Sequence, residues 1–182
     1  MGAQAAADLV AAVMRGEAVM FPTDTLPALA SHPFSAQRLW DLKARPAHKP
    51  LILMGANLEQ LRAVLAVPWQ EDWLQQAANC WPGACTLVLP MAGPLVDALN
   101  PGGGSLGLRV PACSMAQQFL DRCGPLATTS INHSGEPPAH DGVTARLVFP
   151  HLPLLDPLPW PASSGQPSRV LVWKDNGWQC LR

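Results

Sequence analysis

Charge is scarce in this chain. Only 14% of its 182 residues are charged, the formal net charge is −1, and lysine occurs three times. No global field therefore draws the protein onto nucleic acid or a membrane surface, and any anion site must be local. Ordered cysteine and histidine motifs are missing too. Cys80, Cys85, Cys113, Cys123 and Cys180 form no C-x-x-C pair and are odd in number, which favours free thiols in a reducing cytoplasm. The five histidines show no H-x-x-x-H spacing, which argues against a structural zinc site. At the N-terminus no charged lead-in precedes a greasy run, and Pro or Gly interrupts the longest apolar stretches. A signal peptide and a bilayer span are therefore not expected. A G-x-x-x-x-G-K phosphate loop is absent. No spacing marks a Ser/His/Asp or Cys/His set or paired carboxylates. An enzyme with this sequence is expected to work by positioning and charge stabilisation rather than through a covalent nucleophile.

What is present suits a compact chain of one domain, 1–182, with 48% hydrophobic residues. Helical periodicity covers 4–15, closing at Gly16, then 35–44 with Ser35 as N-cap, 57–66, 70–79 and 113–122. Asn57, with Gln60 three residues on, forms a variant capping box. Strands are expected at 18–21, 51–54, 86–90, 105–110, 126–132 and 169–173. Their alternation with helices points to an α/β fold. Many of the 20 prolines fall in 150–167, which reads as an irregular surface segment.

Three stretches carry candidate chemistry. The first is "KARPAHKP" (43–50), which holds Lys43, Arg45 and Lys49, two of the three lysines with an arginine between them. Lys43 shares a helix face with Leu39 and Trp40, so it must either snorkel out or meet an anion. Pro46 and Pro50 stiffen the loop, and stiff, clustered cations suit a polyphosphate. The second is a pair of strands with mixed faces. "SLGLRV" puts Ser105, Gly107 and Arg109 on one face, and "LATTSIN" does the same with Thr128, Ser130 and Asn132. That pattern fits either a solvent-facing sheet or a wet cavity in which Arg109 meets a carboxylate. The third is "PTDT" (22–25), hydroxyls and one carboxylate directly after a buried strand.

Taken in order, "FPTDT", "LKARPAHKPLILMGANLEQL", "WPGACTLVLP", "LGLRVP" and "TTSINHSGEPP" resemble the YrdC/TsaC family, the threonylcarbamoyl-AMP synthases. The family's K-x-R and S-x-N elements match Lys43-Ala44-Arg45 and Ser130-Ile131-Asn132, as in its short single-domain bacterial form. The resemblance implies a YrdC-like twisted mixed sheet flanked by helices, with a large concave cavity. It implies a cytoplasmic nucleotidyltransferase that makes threonylcarbamoyl-AMP and pyrophosphate from L-threonine, bicarbonate or CO2, and ATP, with Mg2+ assisting. The product would pass to the tRNA t6A transferase proteins that modify adenosine 37. By the same resemblance, Thr25, Arg109 and Thr128 meet threonine. Lys43, Arg45, Lys49, Ser105, Ser130, Asn132 and Ser168 meet the nucleotide, with Lys43 and Arg45 catalytic. Leu26-Pro27-Ala28 stands where the family usually has an aromatic and then a glycine, and the chain has no tyrosine. Two other readings stand beside this one: an RNA-binding module of the same fold, and an inactive or altered-substrate paralogue.

Overall fold

The computed structural model describes residues 2–46 and 49–182. Eight strands form one mixed sheet: β1 (Val19–Phe21), β2 (Ala28–Ser31), β3 (Ile52–Met54), β4 (Cys85–Pro90), β5 (Ser105–Arg109), β6 (Leu126–Ser130), β7 (Arg169–Lys174) and β8 (Gly177–Cys180). Their order is β1-β2-β6-β3-β5-β4-β7-β8. The β3/β5 and β4/β7 neighbours are parallel, and the rest are antiparallel. The helices are α1 (Gly2–Met14), α2 (Gln37–Lys43), α3 (Leu58–Leu65), α4 (Glu71–Cys80), α5 (Pro94–Leu99), α6 (Ser114–Cys123) and α7 (Gly142–Val148).

Successive strand residues point to opposite faces, so the sheet divides the core in two. On one face Phe21, Ala28, Ala30 and Met54 join Leu9 and Val13 of α1 and Phe119 and Leu120 of α6. On the other, Met20, Leu29, Leu53, Leu106 and Leu108 join Leu39 and Trp40 of α2, Val96 and Leu99 of α5, and Ala145 of α7. Register carries the alternation across the strands. Ala28 lies opposite Ser130, Ile52 opposite Thr128 and Gly107, and Met54 opposite Arg109. The polar positions of β5 and β6 therefore sit on the α1/α6 face, beyond the ends of those helices' apolar contacts.

Several expectations need correction. Ser35 does not cap α2; it ends a 3-10 turn, Pro33–Ser35, capped by the His32 side chain, and α2 begins after Ala36 with no side-chain cap. β6 stops at Ser130, so Asn132 belongs to the following turn and not to a strand face. Strands β2 and β8 and helices α5 and α7 were not anticipated. The Asn57 cap is present: its side chain accepts from Gln60 N, while Gln60 Oε1 accepts from Ala56 N, one residue before the cap. All five cysteines are free thiols. Among the described residues no helix is long and apolar enough to cross a membrane.

The Pro-rich segment 150–167 has neither helix nor strand, yet it is anchored. It runs beside β1, where Met20 N donates to Pro153 O at 3.0 Å and Leu155 N donates to Met20 O at 2.9 Å. Further on, Ser164 N donates to Asp24 O and Gly165 N to Thr25 O, at 3.0 and 3.3 Å. The segment thus reaches the "PTDT" turn and brings Pro167 and Ser168 to the polar strand face.

Candidate active site

A cleft of about 210 Å³ opens there, lined among others by Thr25, Arg45, Arg109, Thr128, Ser130 and Ser168. These side chains come from five separate stretches of sequence. A larger cavity of about 490 Å³, between His32–Phe34, α5 and residues 123–125, is lined by no lysine, arginine or carboxylate. The polar chemistry is in the smaller cleft.

Arg109 is its most enclosed cation, 4% exposed. Its Nη2 donates to Asp24 Oδ1 at 2.7 Å, Nη1 to Thr25 Oγ1 at 2.7 Å, and Nε to Gly83 O at 3.2 Å. Burial lowers the guanidinium's pKa from its ordinary value, and the Asp24 charge opposes that shift. A guanidinium has five N–H donors, so two remain for a ligand. Asp24 Oδ1 also accepts from Ala112 N at 3.0 Å, which ties the turn to the residues after β5.

Lys43 does not snorkel, and its partners within the protein are neutral oxygens. It is 1% exposed, and Nζ donates to Ser130 O, Asn132 O and Asn132 Oδ1 at 2.6, 2.7 and 2.7 Å. An ammonium has three donors, and all are taken by neutral oxygens. Burial, and secondarily the charge on Arg45, lower its pKa to about 8. Its backbone joins the same knot, with Ser134 N donating to Lys43 O at 2.8 Å. Asn132 is equally committed: Oδ1 also accepts from Ser130 Oγ, and Nδ2 donates to His133 O and Glu136 O. Neither Lys43 nor Asn132 lines the cleft.

Arg45 does line it. Its Nη2 donates to Pro50 O at 3.2 Å, and its buried Nε has no partner among the described residues. Burial lowers its pKa from the ordinary value. Lys49 is exposed and outside the cleft lining, and Ala47 and His48 of the same loop lie outside the described residues. Ser105 sits at the far end of β5, opposite Pro90 and away from the cleft. Ser168 Oγ hydrogen-bonds Thr86 Oγ1 at 2.9 Å. Sequence reasoning missed two participants. Asp24 was visible in "PTDT", but nothing local pairs it with Arg109. Arg182, which also lines the cleft, donates from Nε to Ser168 O at 3.3 Å; no motif marks it.

Residues 11–182 match the Sua5/YciO/YrdC family model, described as "Telomere recombination". The chain belongs to this family. It is 34% identical over 140 residues to the threonylcarbamoyl-AMP synthase of Pseudomonas aeruginosa, covering 75% of each chain. It is 35% identical over 151 residues to that of Chromohalobacter salexigens, covering 79% of each. Among solved structures, Pyrococcus abyssi Sua5 complexed with L-threonine superposes with a TM-score of 0.89 at 26% identity. This chain is covered completely in that match but spans only 54% of the archaeal one. Escherichia coli YciO, at 20% identity and a TM-score of 0.81, shares the fold.

Proposed function

We propose that the cleft makes threonylcarbamoyl-AMP and pyrophosphate from L-threonine, bicarbonate or CO2, and ATP. In this reading the product supplies the tRNA proteins that modify adenosine 37. The observation that carries the proposal is Arg109. A buried guanidinium keeps two donors free beside the Thr25 and Thr128 hydroxyls, a site shaped for a small carboxylate with polar substituents. Relatives named threonylcarbamoyl-AMP synthase, and a relative complexed with L-threonine, support the substrate.

The chemistry follows from the charges. Threonine's neutral amine adds to CO2, giving a carbamate and releasing a proton. A carbamate oxygen attacks the α-phosphorus of ATP, and pyrophosphate leaves. Arg45, which lines the cleft, faces the phosphates, and Lys49 adds a second charge from the exposed loop. Lys43 shapes the 130–136 turn that closes this end of the site. Among the described residues no cluster of three His, Cys, Asp or Glu is placed to hold a metal. In this reading Mg2+ enters with the nucleotide as MgATP, whose phosphates and waters supply most of its ligands.

Purified protein given ATP, Mg2+ and bicarbonate should release pyrophosphate only when L-threonine is added. Arg45→Ala should lower that turnover about a hundredfold without unfolding the protein. Release that ignores threonine, or an Arg45→Ala variant with normal turnover, overturns the assignment.

A further inference from the structure

We infer that the hydroxyls of Thr25, Thr128 and Ser130 face the cleft as hydrogen-bond acceptors only. The site then selects a ligand that brings a carboxylate for Arg109 and N–H and O–H donors for these oxygens. This rests on the threonine reading and deepens it.

The argument is an account of single protons. Each hydroxyl owns one proton and two lone pairs. Thr23 Oγ1 lies 2.7 Å from Leu26 O, and a carbonyl only accepts, so the Thr23 proton is spent there. Thr23 Oγ1 also accepts from Thr25 N at 3.1 Å. Its remaining contact is Thr25 Oγ1 at 3.1 Å, and with the Thr23 proton already placed, Thr25 must donate. Thr25 Oγ1 in turn accepts from Arg109 Nη1, which leaves it one free lone pair and no proton. Thr128 Oγ1 donates to Ile52 O at 3.0 Å, and both its lone pairs remain.

Ser130 follows the same logic. Asn132 Oδ1 is fixed as the oxygen because Lys43 Nζ donates to it and Asn132 Nδ2 donates to two carbonyls. The 2.7 Å contact from Ser130 Oγ therefore uses the serine proton. Such a hydroxyl cannot donate to a phosphate oxygen. It suits a sugar hydroxyl or a carbamoyl N–H, and phosphate recognition falls to Arg45 and Lys49.

The consequence is a directional preference. Threonine's ammonium and hydroxyl both donate and satisfy an acceptor floor. In place of the hydroxyl, a fluorine sets a lone pair against a buried lone pair, and a methyl leaves the buried acceptor without a donor. Calorimetric titration of the whole protein with L-threonine, its 3-fluoro analogue, L-valine and 2,3-diaminobutanoate tests this. The fluoro analogue and valine should bind about tenfold or more weaker than threonine, and the diamino acid within about tenfold of it. At least one of Thr25→Val and Thr128→Val should erase the preference for threonine over the fluoro analogue. A fluoro analogue that binds as tightly as threonine, or a preference that survives both substitutions, overturns the inference. If none of the four ligands binds, the threonine reading has failed, and neutron diffraction from deuterated crystals still decides the polarity. Deuterons should lie between Thr23 and Leu26 O, Thr25 and Thr23, and Thr128 and Ile52 O. A Thr25 or Thr128 deuteron directed into the cleft refutes it.

Discussion

Lys43 shows how a side chain can be legible in the sequence as buried while its partners are not. Its place on the Leu39/Trp40 face is plain from the helical period, and all three are buried. The partner is not, because the oxygens that receive it lie 87 and 89 residues away along the chain. Lys43→Met keeps the stem and removes three donors, leaving Ser130 O, Asn132 O and Asn132 Oδ1 short of a partner. The loss should be about 3 kcal/mol, a fall in Tm of about 6–12 °C. The pH dependence has a definite sign. The folded pKa is about 8 against an ordinary 10.5, so between those values the unfolded chain binds a proton that the folded chain lacks. Raising the pH through that window favours the folded form. The stability gap between wild type and Lys43→Met, measured by urea unfolding, should be flat below pH 8 and widen from pH 8 to 10.5. A gap that narrows over that range would contradict the burial of a charged amine.

Elements are held to one another by a few polar joints, and these differ greatly in weight. The Asp24–Arg109 pair fastens the 22–27 turn to β5 with side chains 15% and 5% exposed. The Arg15–Glu17 pair after α1 has a similar length, 2.8 Å, but its side chains are 62% and 39% exposed. Removing one partner of a buried pair strands the other charge at a cost of about 3–5 kcal/mol. An exposed pair contributes about 1 kcal/mol or less. Asp24→Ala should therefore lower Tm by about 6 °C or more, and Glu17→Ala by no more than about 4 °C, in parallel thermal melts. Equal shifts would mean that the turn is not keyed through Arg109. The same scale explains which elements the sequence disclosed. Helices α3, α4 and α6 bury one stripe and expose the rest, so their period shows. β2 is "ALAS", buried at all four positions with no alternation and two alanines of weak strand preference. α7 hides its start, because its capping box uses Thr144 at the position where a Glu or Gln would announce it. α5 is six residues long, too short for a period to establish itself.

At the scale of the whole molecule the cleft is a meeting of distant segments. Thr25, Arg45, Arg109 and Thr128 were each legible as polar residues in a pattern, Ser168 only through the family resemblance, and the register of β6, β3 and β5 explains why Arg109 and Thr128 converge. The closing wall was not legible, since a Pro-rich run has no period to read. What places it is the docking of Ser164 and Gly165 on the carbonyls of Asp24 and Thr25. Gly165 has φ +66, and a Cβ there would sit 3.1 Å from the His140 ring. An alanine at this position costs about 1 kcal/mol in backbone strain and presses on His140. Gly165 itself lies outside both halves of the core, so Gly165→Ala should lower Tm by only a few degrees. The wall carries Pro167 and Ser168 to the cleft, so its displacement should be felt in binding. Steady-state kinetics should show KM rising for threonine while kcat changes less, because Arg109, Arg45 and the hydroxyls of β6 remain in place. An unchanged KM would show that segment 160–168 only covers the turn. A collapse of Tm would show instead that residues 164–168 hold the core together as well as covering the turn.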